Sequence, residues 1–156
     1  MDVLVRAFRR AFATSRQDVR LVVAGAGPGR GELERLAAGD RRISLLGYSE
    51  DVAPIYRGAD VYVSAARYEP FGLTLLEAMR AGCRLVCTRT QGATEILRNR
   101  SGVLWAEVGD VADLSRALSE AARGSGRTAW DLAAFDAVAA RDKIEAFYRV
   151  VLAARR

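Results

Sequence analysis

The feature that most constrains this chain is a rhythm: a short run of apolar, often β-branched residues, then a loop, then a helical pattern, several times over. The run at 20–24 (RLVVA) enters the loop GAGPGRG, from Gly25 to Gly31, and a helical repeat resumes over 32–38. The run at 43–46 precedes a helix over 52–57, the run at 61–64 one over 73–81, and the run at 85–88 one over 94–98. A fifth run, 102–105, precedes Gly109-Asp110, and Asp110 is the expected N-cap of a helix over 111–123. Strands that are apolar throughout are buried on both faces, and single helices between them imply right-handed crossovers. The predicted fold class is therefore α/β, a Rossmann-like doubly wound parallel sheet with helices on both faces.

The flanks fit this frame. Leu4, Val5, Phe8 and Phe12 make one apolar face of an opening helix over 1–15, with arginines opposite. Pro28 and Pro70 fall in loops, and Pro54 suits a first helical turn, where its missing donor costs little. After Arg123, GSGRT reads as a hinge-like linker. The division expected is thus 1–123 as the sheet domain and 124–156 as linker and C-terminal helices. The last helix carries Ile144, Phe147, Tyr148, Val151 and Leu152 on one face, which covers either its own domain's sheet edge or something outside it.

Composition removes whole classes of function. With 51% hydrophobic residues in 156, the chain buries a real core, which excludes disorder, collagen and coiled coil. No apolar run is long enough for a membrane span, and MDVLVRAFRR puts charge where a signal peptide needs apolar residues. The expected location is cytoplasmic, with a peripheral position at the inner membrane face compatible with it. The net charge of +5 comes from arginines scattered among acids, which solvate helix faces and give no nucleic-acid signature. There is no histidine, so imidazole base catalysis and His-bearing metal sites are excluded. Cys83 and Cys87 lie on one side of a strand and read as buried small hydrophobes, since two thiols do not complete a metal site. No metal site is expected.

In an open parallel sheet, ligands settle beyond the carboxyl ends of the strands, so the loops there matter most. GAGPGRG is neither the dinucleotide fingerprint, whose third glycine falls on Arg30, nor a Walker loop. It is a glycine loop entering a helix, suited equally to an anion or to a simple tight turn. The stretch Glu69-Pro70-Phe71-Gly72-Leu73-Thr74-Leu75-Leu76-Glu77-Ala78-Met79 says more. A strand end delivers Glu69, Gly72 opens a helix with free amides, Thr74 adds a hydroxyl, and Glu77 follows just over one turn later. Carboxylates accept from sugar hydroxyls and amides at a positive helix end suit a diphosphate, which together describe a nucleotide-sugar.

At these residues the chain resembles the donor half of the retaining glycosyltransferases of GT-B fold, most closely the large group 1, or family four. The two glutamates of that family's motif correspond to Glu69 and Glu77. Agreement extends to Gly25 and Gly27, Leu46-Gly47-Tyr48, Ala59-Asp60-Val61, Ala81-Gly82, Gly92 with Glu95, and Gly102. The resemblance implies a single GT-B half-domain in which Glu77 holds ribose hydroxyls and Glu69, the catalytic candidate, faces the transferred sugar. It implies that Pro70, Phe71, Gly72, Leu73 and Thr74 cradle the sugar and diphosphate, that Leu46 and Gly47 edge the base, and that Gly25 and Gly27 complete the donor site. No cofactor or metal is implied. The partners implied are a UDP-, GDP- or ADP-sugar as donor substrate and an acceptor-binding domain in cis or trans, with hexosyl transfer retaining configuration.

Departures from the pattern carry their own expectations. Ala65 and Ala66 stand where relatives have proline and serine, and Ala93 replaces a glycine, which is expected to narrow the sugar site. Met1 aligns just after the strand and loop that carry two diphosphate-clamping cations, so the chain is expected to lack one strand, both cations and the acceptor domain. Two lost charge-assisted contacts weaken donor binding by ~3 to 6 kcal/mol. Arg30 or Arg67 is the candidate replacement. An exposed sheet edge with an uncovered apolar helix strip is expected to cause self-association. The competing reading is a non-catalytic nucleotide-binding or oligomerising module.

Overall fold

The computed structural model describes residues 1–153. Its elements are α1 (Asp2–Ala11), β1 (Leu21–Ala24), α2 (Arg30–Ala37), β2 (Ile43–Gly47), α3 (Ala53–Gly58), β3 (Val61–Ser64), α4 (Leu73–Arg80), β4 (Arg84–Thr88), α5 (Gln91–Ile96), β5 (Val103–Ala106) and α6 (Val111–Ala121). A 3-10 turn (Ala133–Phe135) and α7 (Ala137–Ala153) close the chain. This is the anticipated βα alternation, with parallel pairing throughout. The largest boundary differences are at α1, which ends at Ala11 rather than near Ser15, and at α5, which starts at Gln91 rather than at Thr94. The Thr94 hydroxyl donates to the carbonyls of Thr90 and Gln91, so it lies inside the first turn and does not begin it.

Side-chain alternation sorts each strand onto two cores. Val86 of β4, Leu104 and Ala106 of β5, and Leu21 and Val23 of β1 face the first core, where α1 and α6 contribute Val5, Phe8, Leu114 and Ala117. Leu85 and Cys87 of β4 and Trp105 of β5 face the second, built on Leu75, Met79 and Ile96 of α4 and α5. Both cysteines are free and buried there, and burial pushes the Cys87 thiol up to about 12, far from reactive thiolate chemistry. Helix α6 begins as expected, with the Asp110 carboxylate accepting from the Ala112 and Asp113 amides at 2.8 and 3.0 Å.

Three features correct the sequence-based expectation. The strands form a two-stranded unit, β1-β2, and a three-stranded unit, β3-β4-β5, with no ladder between β1 and β3. The unpaired backbone therefore lies inside the sheet rather than on one outer edge. The uncovered apolar helix strip lies not on α1, whose Leu4 and Phe8 are buried against α6 and the first core, but on the C-terminal helix α7. The stretch after Arg123 is tied down rather than hinge-like. Thr128 donates its amide to Gly82, Arg127 its guanidinium to Ala81, and Trp130 its indole N–H to Cys83 at 2.8 Å. Beyond it, the main packing partner of α7 among the described residues is the 3-10 turn, and Ile144, Phe147, Tyr148 and Leu152 are exposed. The side chain of Val151 lies outside the described residues.

Candidate donor site

The loop after β3 and the start of α4 are held by backbone geometry that only glycine provides easily. Gly72, the N-cap of α4, has φ +101°, and its carbonyl accepts from the Leu75 and Leu76 amides at 3.1 and 3.2 Å. The amides of Leu73 and Thr74 precede any intrahelical partner and face outward from the positive end of the helix. The Glu69 carboxylate accepts from the Phe71 amide at 3.1 Å, and its carbonyl accepts from Gly92 at 2.8 Å, which ties the loop to α5. A Cβ on Gly92 would lie 2.5 Å from the Phe71 carbonyl oxygen, so the loop sits directly on bare backbone.

The structure brings Leu46, Glu69, Thr74 and Glu77 together on one cavity of about 1360 Å³, joined by Arg67 and Tyr56. Glu69 is half-buried while Thr74 and Glu77 are exposed. Two residues at this wall have no counterpart in the motif. The Tyr62 hydroxyl donates to Thr74 at 2.8 Å and sets its rotamer. Tyr56 stands beside Glu77, and burial first, then the carboxylate, pushes its phenol well above the ordinary range. Strand alternation places Tyr62 opposite Val61 and Val63, toward α4, which is the signal by which it could have been found.

Other candidates are placed elsewhere. Gly25 and Gly27 line a neighbouring cavity of about 430 Å³, not the one that holds the glutamates. Gly25 donates its amide to the Gly47 carbonyl at 2.7 Å, and both have positive φ, so the glycines stitch two loops together. Pro70, Phe71, Gly72 and Leu73 frame the loop without lining either cavity, and the side chains of Phe71 and Leu73 are exposed. Ala93 does not narrow the site, since its methyl is 1% exposed within the second core. Of the two candidate cations, Arg30 is paired with Glu34 at 2.8 Å beside Gly27, whereas Arg67 is exposed on the glutamate cavity, 4.0 Å from Asp2.

A βα-alternating half-domain with a parallel sheet and helices on both faces is the architecture of glycosyltransferases of GT-B fold. The family description "Glycosyl transferases group 1" matches residues 1–123, and the chain belongs to that family. Among curated relatives, it is 42% identical over 88 residues to a GDP-mannose-dependent alpha-(1-6)-phosphatidylinositol dimannoside mannosyltransferase of Mycobacterium tuberculosis, covering 54% of this chain and 23% of that protein. It is 34% identical over 110 residues to an uncharacterised glycosyltransferase of Methanocaldococcus jannaschii, covering 67% of this chain and 28% of that one. The chain thus spans about a quarter of the length of these relatives. A solved structure of Anabaena HepE with UDP and glucose superposes with TM-score 0.64 at 22% identity, over 73% of this chain and 33% of that one.

Proposed function

We propose that the chain is the nucleotide-sugar-binding half of a retaining glycosyltransferase and that it moves a hexosyl group once an acceptor-binding domain is supplied. The observation that carries this reading is the convergence of Glu69, Thr74 and Glu77 with the N-terminus of α4 on one cavity. Glu77 accepts from the ribose hydroxyls, Glu69 faces the transferred sugar, and the Leu73 and Thr74 amides meet the diphosphate. Leaving-group oxygens of the diphosphate take the acceptor's proton on the same face, so the chemistry asks for no imidazole and no metal. Arg67 supplies part of the positive charge. The donor is a UDP-, GDP- or ADP-sugar; the mannosyltransferase relative is GDP-mannose-dependent and HepE was crystallised with UDP. The outward face of α7 meets the acceptor-binding domain. Among the described residues no helix is long and apolar enough to cross a membrane, and the proposed location is cytoplasmic.

The test is calorimetric titration of UDP, GDP, ADP and their sugars against the chain and its Glu77→Ala variant. One nucleotide is expected to bind, with a loss of at least tenfold in the variant, as removal of a charge-assisted hydrogen bond worth ~1.5 to 3 kcal/mol requires. Equal affinity in both proteins would remove Glu77 from the site.

A further inference from the structure

The Tyr62 hydroxyl does more than hold the Thr74 side chain in place, because it decides where the Thr74 proton goes. The two hydroxyl oxygens lie 2.8 Å apart, with Tyr62 donating. A phenol is the more acidic of the two groups and shares an oxygen lone pair with its ring, so the aliphatic oxygen is the better acceptor. Burial pushes the Tyr62 phenol above its ordinary range, which keeps the proton on it. The ring is fixed from β3, packed on the second core with Tyr56 edge-on at 5.9 Å between centroids.

A threonine in the first turn of a helix ordinarily gives its proton to a carbonyl three or four residues back. Thr94 of α5 does so, donating to Gln91 and Thr90 at 2.8 and 2.9 Å. Thr74, the second residue of α4, does not: among the described residues its hydroxyl meets Tyr62 alone, as acceptor. Its proton is thereby left for the cavity that it lines with Glu69 and Glu77. We propose that Tyr62 is a positioning residue that locks the Thr74 hydroxyl as a hydrogen-bond donor to the diphosphate of the nucleotide-sugar. The proposal rests on the donor-site reading. A hydroxyl free to rotate accepts as readily as it donates, and accepting from Tyr62 removes that choice. This corner of the cavity then offers donors only, from the Thr74 hydroxyl and the Leu73 and Thr74 amides, while the carboxylates of Glu69 and Glu77 offer acceptors. Phosphate oxygens, which accept, suit the first, and sugar hydroxyls, which donate, suit the second. Hydrogen bonds in a chain polarise one another, so donation by Tyr62 also strengthens the bond that Thr74 makes.

The test is NMR-monitored titration of UDP, GDP and ADP, each beside its nucleoside, into the full chain and its Tyr62→Phe, Thr74→Val and doubly substituted variants. For the base that binds, Tyr62→Phe is expected to lower diphosphate affinity about three- to tenfold, as loss of one hydrogen bond requires, and to leave the nucleoside within about twofold. Thr74→Val is expected to show the same split, and the double variant to fall no further than Thr74→Val, since the two hydroxyls act as one. A Tyr62 that only props the loop would weaken nucleoside and diphosphate alike and add its effect to that of Thr74→Val; either result overturns the proposal. Thr74→Val reads the bond from its exposed end without touching the core, so equal diphosphate affinity in it and the parent chain overturns the proposal even where Tyr62→Phe folds poorly. Binding that Glu77→Ala weakens and Tyr62→Phe leaves unchanged overturns the role of Tyr62 alone. A parent chain that binds no nucleotide overturns the donor-site reading with it.

Discussion

At the scale of the residue, Gly92 and Asp40 show how little atomic latitude the structure has. Any side chain at Gly92 meets the Phe71 backbone at 2.5 to 2.7 Å, where neither partner is a flexible tip that can swing aside. Gly92→Ala is therefore expected to cost about 1 to 3 kcal/mol in urea unfolding and to displace the Glu69 loop. An unchanged midpoint would show that the loop does not rest on α5. Asp40 is gripped by Arg42, whose Nε and Nη2 donate at 2.8 and 2.7 Å, and this hydrogen bonding lowers its carboxyl from 3.8 to about 2. A depressed folded-state pKa adds stability that is complete above about pH 4 and disappears as pH falls toward 2. Asp40→Asn is expected to remove about 1 kcal/mol at neutral pH, allowing for solvent screening, and to flatten the acid limb between pH 4 and 2. Parallel acid limbs in the two proteins would refute the assignment.

At the scale of the element, α7 stands apart from every other helix. The others bury a face in one of the two cores or bound the sheet, whereas α7 packs mainly on the 3-10 turn among the described residues and leaves Phe147 65% exposed. Helices without tertiary packing are marginal in water, so this one adds little to the stability of the body. Ending the chain after Asp136, which keeps the Trp130 anchor on Cys83, is expected to shift the melting midpoint by less than about 3 °C. A larger fall would mean that α7 packs back on the sheet in solution. The periodicity of Ile144, Phe147 and Tyr148 was plain in the sequence, but which surface the face meets was not, because amphipathicity records that a face wants cover and not what covers it.

At the scale of the whole molecule, the split sheet implies unequal stability. The unit β3-β4-β5 is sandwiched between both cores, with Leu85, Val86 and Cys87 fully buried. The unit β1-β2 has side chains in the first core only, and on its other face Val22 and Leu46 are exposed. Native-state hydrogen exchange is expected to show β1-β2 opening below the global unfolding free energy, with β4 exchanging only at the global limit. A single common free energy for all five strands would show one cooperative sheet despite the gap.

What the sequence determined by itself is the local part. The order of elements, the cap at Asp110, the two-faced burial of β4 and the convergence of Glu69, Thr74 and Glu77 on one strand-loop-helix unit follow from residues near one another in the chain, where propensity, capping and periodicity act. Tertiary structure decided the rest. That the sheet parts between β1 and β3, that Gly25 and Gly27 line a cavity other than that of the glutamates, that Tyr62 holds Thr74, and that Phe71 rests on Gly92 are pairings between distant segments. Such contacts depend on how whole layers close in space, and a slip of one strand rearranges them without changing any local pattern.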